Sequence, residues 1–240
     1  MKTKTNILSG SNAQFQKVAK VTGLLFILNL ILPLFNYSLL LAPLNVENDV
    51  IATAKNIMEN ESLFRIGITI ELLLSVGLVM LAVFLYNILS GVNKNLARLA
   101  LSIKVAEAVL MAVTVLIPLV ALQMVNGSEG LSIYNQDQSI YPVGVIFNSH
   151  TALTSIPMFF LGIDMILFSY LFLKSRYIPA WISILGIISF ALIFIHAVMF
   201  IIAPTYAKLP VSQFIFWTPS GVFEIIAGLW LLVKGIKNDR

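Results

Sequence analysis

The sequence predicts an all-α bundle of six transmembrane helices with both termini in the cytoplasm. Three observations carry that reading. The 240-residue chain is 59% hydrophobic and only 11% charged, with a mean hydropathy of +0.94, whereas a soluble domain carries about 25% charged residues. It contains six apolar stretches, each long enough for the ~20 residues that cross a bilayer core. Its Lys and Arg residues collect on alternate connections, as the positive-inside rule requires.

The six stretches are 19–42, 64–90, 96–124, 146–173, 179–203 and 214–235, within one transmembrane domain over 19–236. A polar cytoplasmic segment, 1–18, precedes them, and a short cytoplasmic C-terminus, 237–240, follows. The first apolar run is longer than the ~7–15 residues of a signal-peptide core and reads as a retained anchor. Lipid forbids unpaired backbone groups, so each stretch is expected to be helical. The weak ten-residue alternation of a membrane β-barrel is not the pattern here.

Orientation follows from charge. Lys2, Lys4, Lys17 and Lys20 precede the first span, Lys94 and Arg98 join the second to the third, and Lys174 and Arg176 join the fourth to the fifth. Lys234, Lys237 and Arg240 close the chain. The opposite side holds only Lys55, Arg65 and Lys208, beside Glu47, Asp49, Glu59, Glu61, Glu129 and Asp137. The net charge of +4 is thereby assigned to topology and not to nucleic acid. Trp181, Trp217, Trp230, Tyr177 and Tyr206 fall at predicted span ends, as interfacial anchors do. The expected setting is a multi-pass protein of the cell membrane, with membrane lipids as its partners.

Two outer segments exceed a turn. Residues 45–62 place Val50, Ile51, Ala54, Ile57 and Met58 on one helical face and Glu47, Lys55, Asn56, Glu59 and Asn60 on the other. That pattern predicts an amphipathic helix on the outer interface or capping a cavity. Residues 125–145 are polar and turn-rich and are expected to form a loop over the outer mouth. Pro33, Pro118, Pro157 and Pro219 each remove a backbone hydrogen bond inside a span.

Four stretches carry a family resemblance: SLFRIGITIELLLSV, LYNILSGVNKNLARLALSIKVAEAVL, MFFLGIDMILFSYLFLKSRYIPAWISILGIISF and GVFEIIAGLWLLVKGIK. On these the chain resembles a bacterial membrane family known as domain of unknown function 4386. The resemblance implies a polytopic membrane protein and carries no reaction, cofactor or partner.

Ionisable groups inside lipid are expensive, about 2.5–3.5 kcal/mol for a central Asp, Lys or Arg on insertion scales, and therefore face the bundle interior and pair. Here they are Glu71, Lys104, Glu107, His150, Asp164, His196 and Glu224. Depths estimated from a rise of about 1.5 Å per residue sort them into an outer group of Glu71, His150 and His196, a central pair of Glu107 and Glu224, and an inner pair of Lys104 with Asp164. Lys104 can alternatively pair with Glu107 on its own helix at i,i+3. His150, Pro157 and Asp164 recur every seven residues and share one stripe of the fourth span. His150 and Asp164 are about 21 Å apart along that helix and cannot share an ion.

Each group has a chemical reading. Two His and a carboxylate suit a metal that activates water, or His150 and His196 could hold a haem. The alternative for the outer group is that each His hydrogen-bonds a helix neighbour or faces an aqueous vestibule. The central acids suit a proton relay or cation site, with a buried structural network as the alternative. The chain has no cysteine, which removes thiolate metal sites, disulfides and cysteine nucleophiles. It has no H-E-x-x-H, P-loop or G-x-S-x-G motif. The acids recur at several depths, as a pathway needs. The reading is therefore a non-enzyme that binds or moves a small solute, ion or lipid, with no cofactor expected. A metal- or haem-dependent intramembrane enzyme and a non-catalytic interaction component are the alternatives.

Overall fold

A computed structural model describes residues 2–46, 49–126 and 136–237. The helices are α1 (Lys2–Asn36), α2 (Val50–Glu59), α3 (Glu61–Leu89), α4 (Lys94–Asn126), α5 (Gln136–Asn148), α6 (His150–Ser175), α7 (Ala180–Ile202), α8 (Pro204–Ala207) and α9 (Pro210–Val233). Helix α1 continues through a π-helical turn, Tyr37–Leu41, into a 3₁₀ turn, Ala42–Leu44. Six segments are long and apolar enough to cross a membrane: Asn12–Leu44, Glu61–Leu89, Lys94–Val120, Tyr141–Ser175, Ala180–Ile202 and Pro210–Val233. They correspond one to one to the six stretches expected from the sequence, and the four prolines lie inside helices that continue past them.

The spans form a closed ring. Going round it, α1, α3, α4, α6, α7 and α9 each pack on the next, and α9 returns to α1; α3 also meets α6 across the middle. An even number of crossings puts both chain ends at one face, here called the terminal face. The other face is called distal. Lipid tails are as apolar as leucine, so close backbone packing must hold such helices together. Glycine supplies it at the seam between α1 and α9. A Cβ at Gly23 would stand 2.5 Å from the Gly228 carbonyl oxygen and 2.6 Å from the Leu232 nitrogen. Gly162 of α6 does the same against the backbone of Phe194 in α7. Between these seams Phe223 packs edge-to-face with Phe26 and Phe190, with centroids 6.0 and 5.5 Å away.

At the terminal face Gln16 ties the two chain ends together. Its amide donates to the Ile236 carbonyl at 2.8 Å, and its carbonyl accepts from the Ile236 N–H at 3.2 Å. Gly235 makes this possible by adopting φ +67, open to glycine without strain. The Lys237 N–H then donates to the Tyr177 carbonyl, joining the connection between α6 and α7 to the same knot.

The distal face carries a cap. Asp49 caps α2 by accepting from the Ala52 N–H at 2.8 Å. Helix α2 packs on α5, burying Ala54 and Ile57 with Phe64, Ile68, Val115, Leu122 and Val143. The apolar face expected for segment 45–62 thus belongs to a helix, Val50–Glu59, that is packed into a core. The expected loop over 125–145 needs correction, because it is helical from Gln136 onward. Val143, Ile146 and Phe147 give α5 an apolar stripe that joins this core. Pro142 and Gly144 hide that stripe in the sequence, yet Gly144 is where the α2 backbone at Val50 presses against α5. Residues 127–135 lie outside the described residues.

Closure of the ring by two facing glycines is testable. Gly23→Ala places a methyl group against backbone that cannot move aside, and overpacking of this kind costs about 1–3 kcal/mol. Thermal unfolding in detergent is expected to shift downward for Gly23→Ala and to stay near wild type for Gly91→Ala, where an added Cβ meets nothing within 4 Å.

Candidate functional site

The inward stripe of α4 is Ala97, Ala100, Lys104, Glu107 and Ala108, all buried. The alanines let α6 approach closely, and α6 brings Asp164 on the buried stripe of Pro157, Asp164 and Leu171. Between the two helices the Lys104 ammonium donates to Glu107 Oε2 at 2.8 Å and to Asp164 Oδ1 at 3.2 Å. The three side chains are 1%, 1% and 0% exposed, so this pair of ion pairs is shielded from any solvent. Breaking a pair of this kind by removing one partner leaves a buried charge uncompensated.

Glu107 of the expected central pair thus joins the expected inner pair in one cluster, and Lys104 makes both of the pairings considered for it. Glu224 sits half-buried on α9, which packs on α1, α7 and α8. One ammonium is held between two carboxyl groups. Asp164 Oδ2 is buried and has no hydrogen-bond partner among the described residues. Such an atom is an acceptor that a proton, a water or a ligand donor can satisfy.

The outer group is not assembled in the same way. His196 is 2% exposed and has both ring nitrogens engaged. Its Nδ1 accepts from the Trp217 indole N–H at 2.9 Å, and its Nε2 lies 3.0 Å from the Ala207 carbonyl oxygen. An indole N–H can only donate and a carbonyl can only accept. The ring is therefore the neutral tautomer with its proton on Nε2. Phe216 stacks on the imidazole at 5.2 Å and Phe200 meets it edge-on at 5.1 Å. A metal or haem at His196 would have to displace Trp217 or Ala207. Glu71 sits half-buried on α3, which packs on α1, α4 and α6, while α7 packs on α6, α8 and α9. The His150 side chain lies outside the described residues, although the backbone of α6 begins there. Among the described residues no group of three His, Asp or Glu side chains is placed to hold a metal ion.

The family model described as Domain of unknown function (DUF4386) matches residues 21–235. The chain belongs to this family. No curated protein and no solved structure matches it. For this member of the DUF4386 family, the match reaches all six spans and includes the cluster of Lys104, Glu107 and Asp164 as well as Glu224.

Sequence reasoning missed Trp217 as a partner. It reads as an interfacial anchor, and the residue is indeed 39% exposed. A depth count finds the second role: His196 lies 16 residues beyond Ala180, and Trp217 lies 16 residues before Val233. A buried histidine needs a partner at its own level, and Trp217 stands there.

The two sites respond differently to substitution. Lys104→Met leaves two carboxyl groups facing each other, and loss of one partner of a buried pair costs about 3–5 kcal/mol. The triple variant Lys104→Met, Glu107→Gln, Asp164→Asn is expected to recover much of that loss in thermal unfolding. Recovery identifies the penalty as uncompensated charge and not lost packing. Trp217→Phe keeps an aromatic ring but leaves His196 Nδ1 buried without a donor, an expected loss of about 1–3 kcal/mol in the same measurement.

Proposed function

We propose that this multi-pass membrane protein is not an enzyme and that it binds or moves a small solute or ion through the Lys104–Glu107–Asp164 cluster. The observation that carries the reading is the charge imbalance of an enclosed site. A purely structural salt bridge would match one ammonium with one carboxylate. Here one ammonium serves two carboxylates, and one buried carboxylate oxygen is left unpartnered among the described residues. An apolar interior does not hold excess charge without a penalty of several kcal/mol per ion. A proton or a small cationic group balances it.

Helix α4 supplies two of the groups and α6 the third, so the site lies at the seam between these two helices. A ligand that changes the charge there biases how these helices pack. Resident Lys104 lowers the affinity for a bare divalent ion and favours a proton or a single positive charge as the species that comes and goes. The Lys and Arg asymmetry favours a cytoplasmic terminal face in the cell membrane, which sets the direction of such a site.

Reconstitution into proteoliposomes tests this. The vesicles carry a pH-sensitive dye, and flux is driven by an imposed proton, Na⁺ or K⁺ gradient. Wild-type protein is expected to dissipate one of these gradients faster than empty vesicles, and Asp164→Asn to lose at least about tenfold of that rate, as loss of a central charged contact does. Correctly folded wild-type protein that moves none of the three ions, and whose unfolding temperature none of them raises, would sink the proposal.

A further inference from the structure

In an apolar helix a serine or threonine hydroxyl normally donates to the carbonyl three or four residues back. This chain follows that habit at Thr22, Ser75, Thr114, Ser155 and Ser220, all buried and all bonded to their own helix. Three buried serines break it. Ser169 of α6 and Ser183 and Ser189 of α7 are 1%, 0% and 0% exposed, and none of their hydroxyls has a partner among the described residues. The Trp230 indole N–H on α9 and Asp164 Oδ2 on α6 share that condition.

These five atoms lie on three consecutive helices of the ring, in its terminal-face half. The helices are in register: Ser169 Oγ abuts Gly186, where an added Cβ would come within 2.5 Å of it, and Phe190 meets Phe223. Counting from the terminal-face end of each helix at about 1.5 Å per residue, Ser183 and Trp230 stand at about 4–5 Å, Ser169 at about 9 Å, Ser189 at about 13 Å and Asp164 at about 16 Å. Successive levels differ by about 3–5 Å along the helix axes on the same rise. Water bridges buried polar groups that stand too far apart to bond directly. Gly186 lets Ser169 Oγ and the Phe223 ring come against the α7 backbone, so this hydroxyl lies where the three helices meet.

We propose that water bound between α6, α7 and α9 joins these groups into a hydrogen-bonded path that carries protons between the terminal face and the Asp164 carboxyl group. A hydroxyl accepts a proton on its oxygen and releases its own to the next acceptor, so each serine is unchanged after a transfer. The indole N–H only donates, so Trp230 orients the first water and does not relay. The path gives the cluster access to one face of the membrane. It rests on the reading of that cluster as a site where charge comes and goes.

The absence of cysteine from the chain makes the test direct. Single variants Ser183→Cys, Ser169→Cys and Ser189→Cys, near-isosteric with the native residue, are reconstituted and exposed to Ag⁺, which reacts with thiolates. Ile184→Cys and Ile188→Cys are the controls. They occupy adjacent positions on α7 and face lipid, at 46% and 54% exposure. A thiol ionises only where water reaches it, so the interior thiols are expected to react at least about tenfold faster than the two controls. Interior thiols no faster than the controls, in protein that elutes as wild type, overturn the path: the serines are then dry. Labelling without any ion flux in the proteoliposomes keeps the water path and removes its function at the cluster. Where proton flux is present, the Ser169→Ala, Ser189→Ala double variant is expected to slow it several-fold with the unfolding temperature unchanged, and an unaltered rate overturns proton transfer along this route.

Discussion

Lys104 forces most of what distinguishes this bundle. Its ammonium lies inside a membrane span, where charge is costly, so it must be enclosed by protein and paired. Glu107 on the same helix supplies one partner, but a second acceptor has to come from another helix, and Asp164 of α6 supplies it at 3.2 Å. That requirement fixes which faces of α4 and α6 meet, and it fixes their axial register. It also explains the alanines of α4 at positions 97, 100 and 108. A larger side chain there would hold α6 away from the ammonium.

Once α4 and α6 are locked, the rest of the ring closes through small residues. Gly162 admits the backbone of Phe194, Gly186 admits Ser169 and Phe223, and Gly23 faces Gly228 at the last seam. Asparagines on α1 reinforce its contact with α3: Asn36 donates to the Gly67 carbonyl at 3.0 Å, and Asn29 donates to that of Gly77 at 3.4 Å. Each of these side-chain amides reaches the carbonyl of a glycine, where no Cβ shields it. Close approach and interhelical hydrogen bonding are the two forces available in lipid, and the ring uses each on a different side of α1.

The six spans were legible because an apolar run of about twenty residues matches the thickness of a bilayer core, and the pairing of Lys104 was legible from two simple counts. The i,i+3 spacing pointed to Glu107, and equal depth pointed to Asp164. Axial counting alone could not say that both partners are used at once, since that depends on the rotation of α6 about its axis. Helix α5 was hidden for a local reason. Pro142, Gly144 and a polar approach read as turn chemistry, whereas three apolar side chains against the α2–α3 cap decide the outcome. Trp217 was obscured by its own amphipathic character, because a ring at the interface and an indole N–H aimed inward are compatible demands on one residue. The unpartnered serines leave no trace in sequence at all. Whether a hydroxyl turns to its own helix or to a neighbour is settled by packing, and Ser169 and Ser155 lie on the same helix with opposite outcomes.

The two halves of the bundle differ in how they treat polar atoms. Toward the distal face His196 is saturated on both nitrogens, and α2 and α5 cover the other side with an apolar core. The one unpartnered side-chain atom described there is Asn36 Oδ1, whose amide is already held by Gly67. Toward the terminal face the unpartnered atoms belong to three neighbouring helices and rise in steps to the carboxylate of Asp164. Packing defects would scatter round the ring, and they would not stop at the level of the cluster. Their confinement to one side of it is what the proposed path to a single face requires.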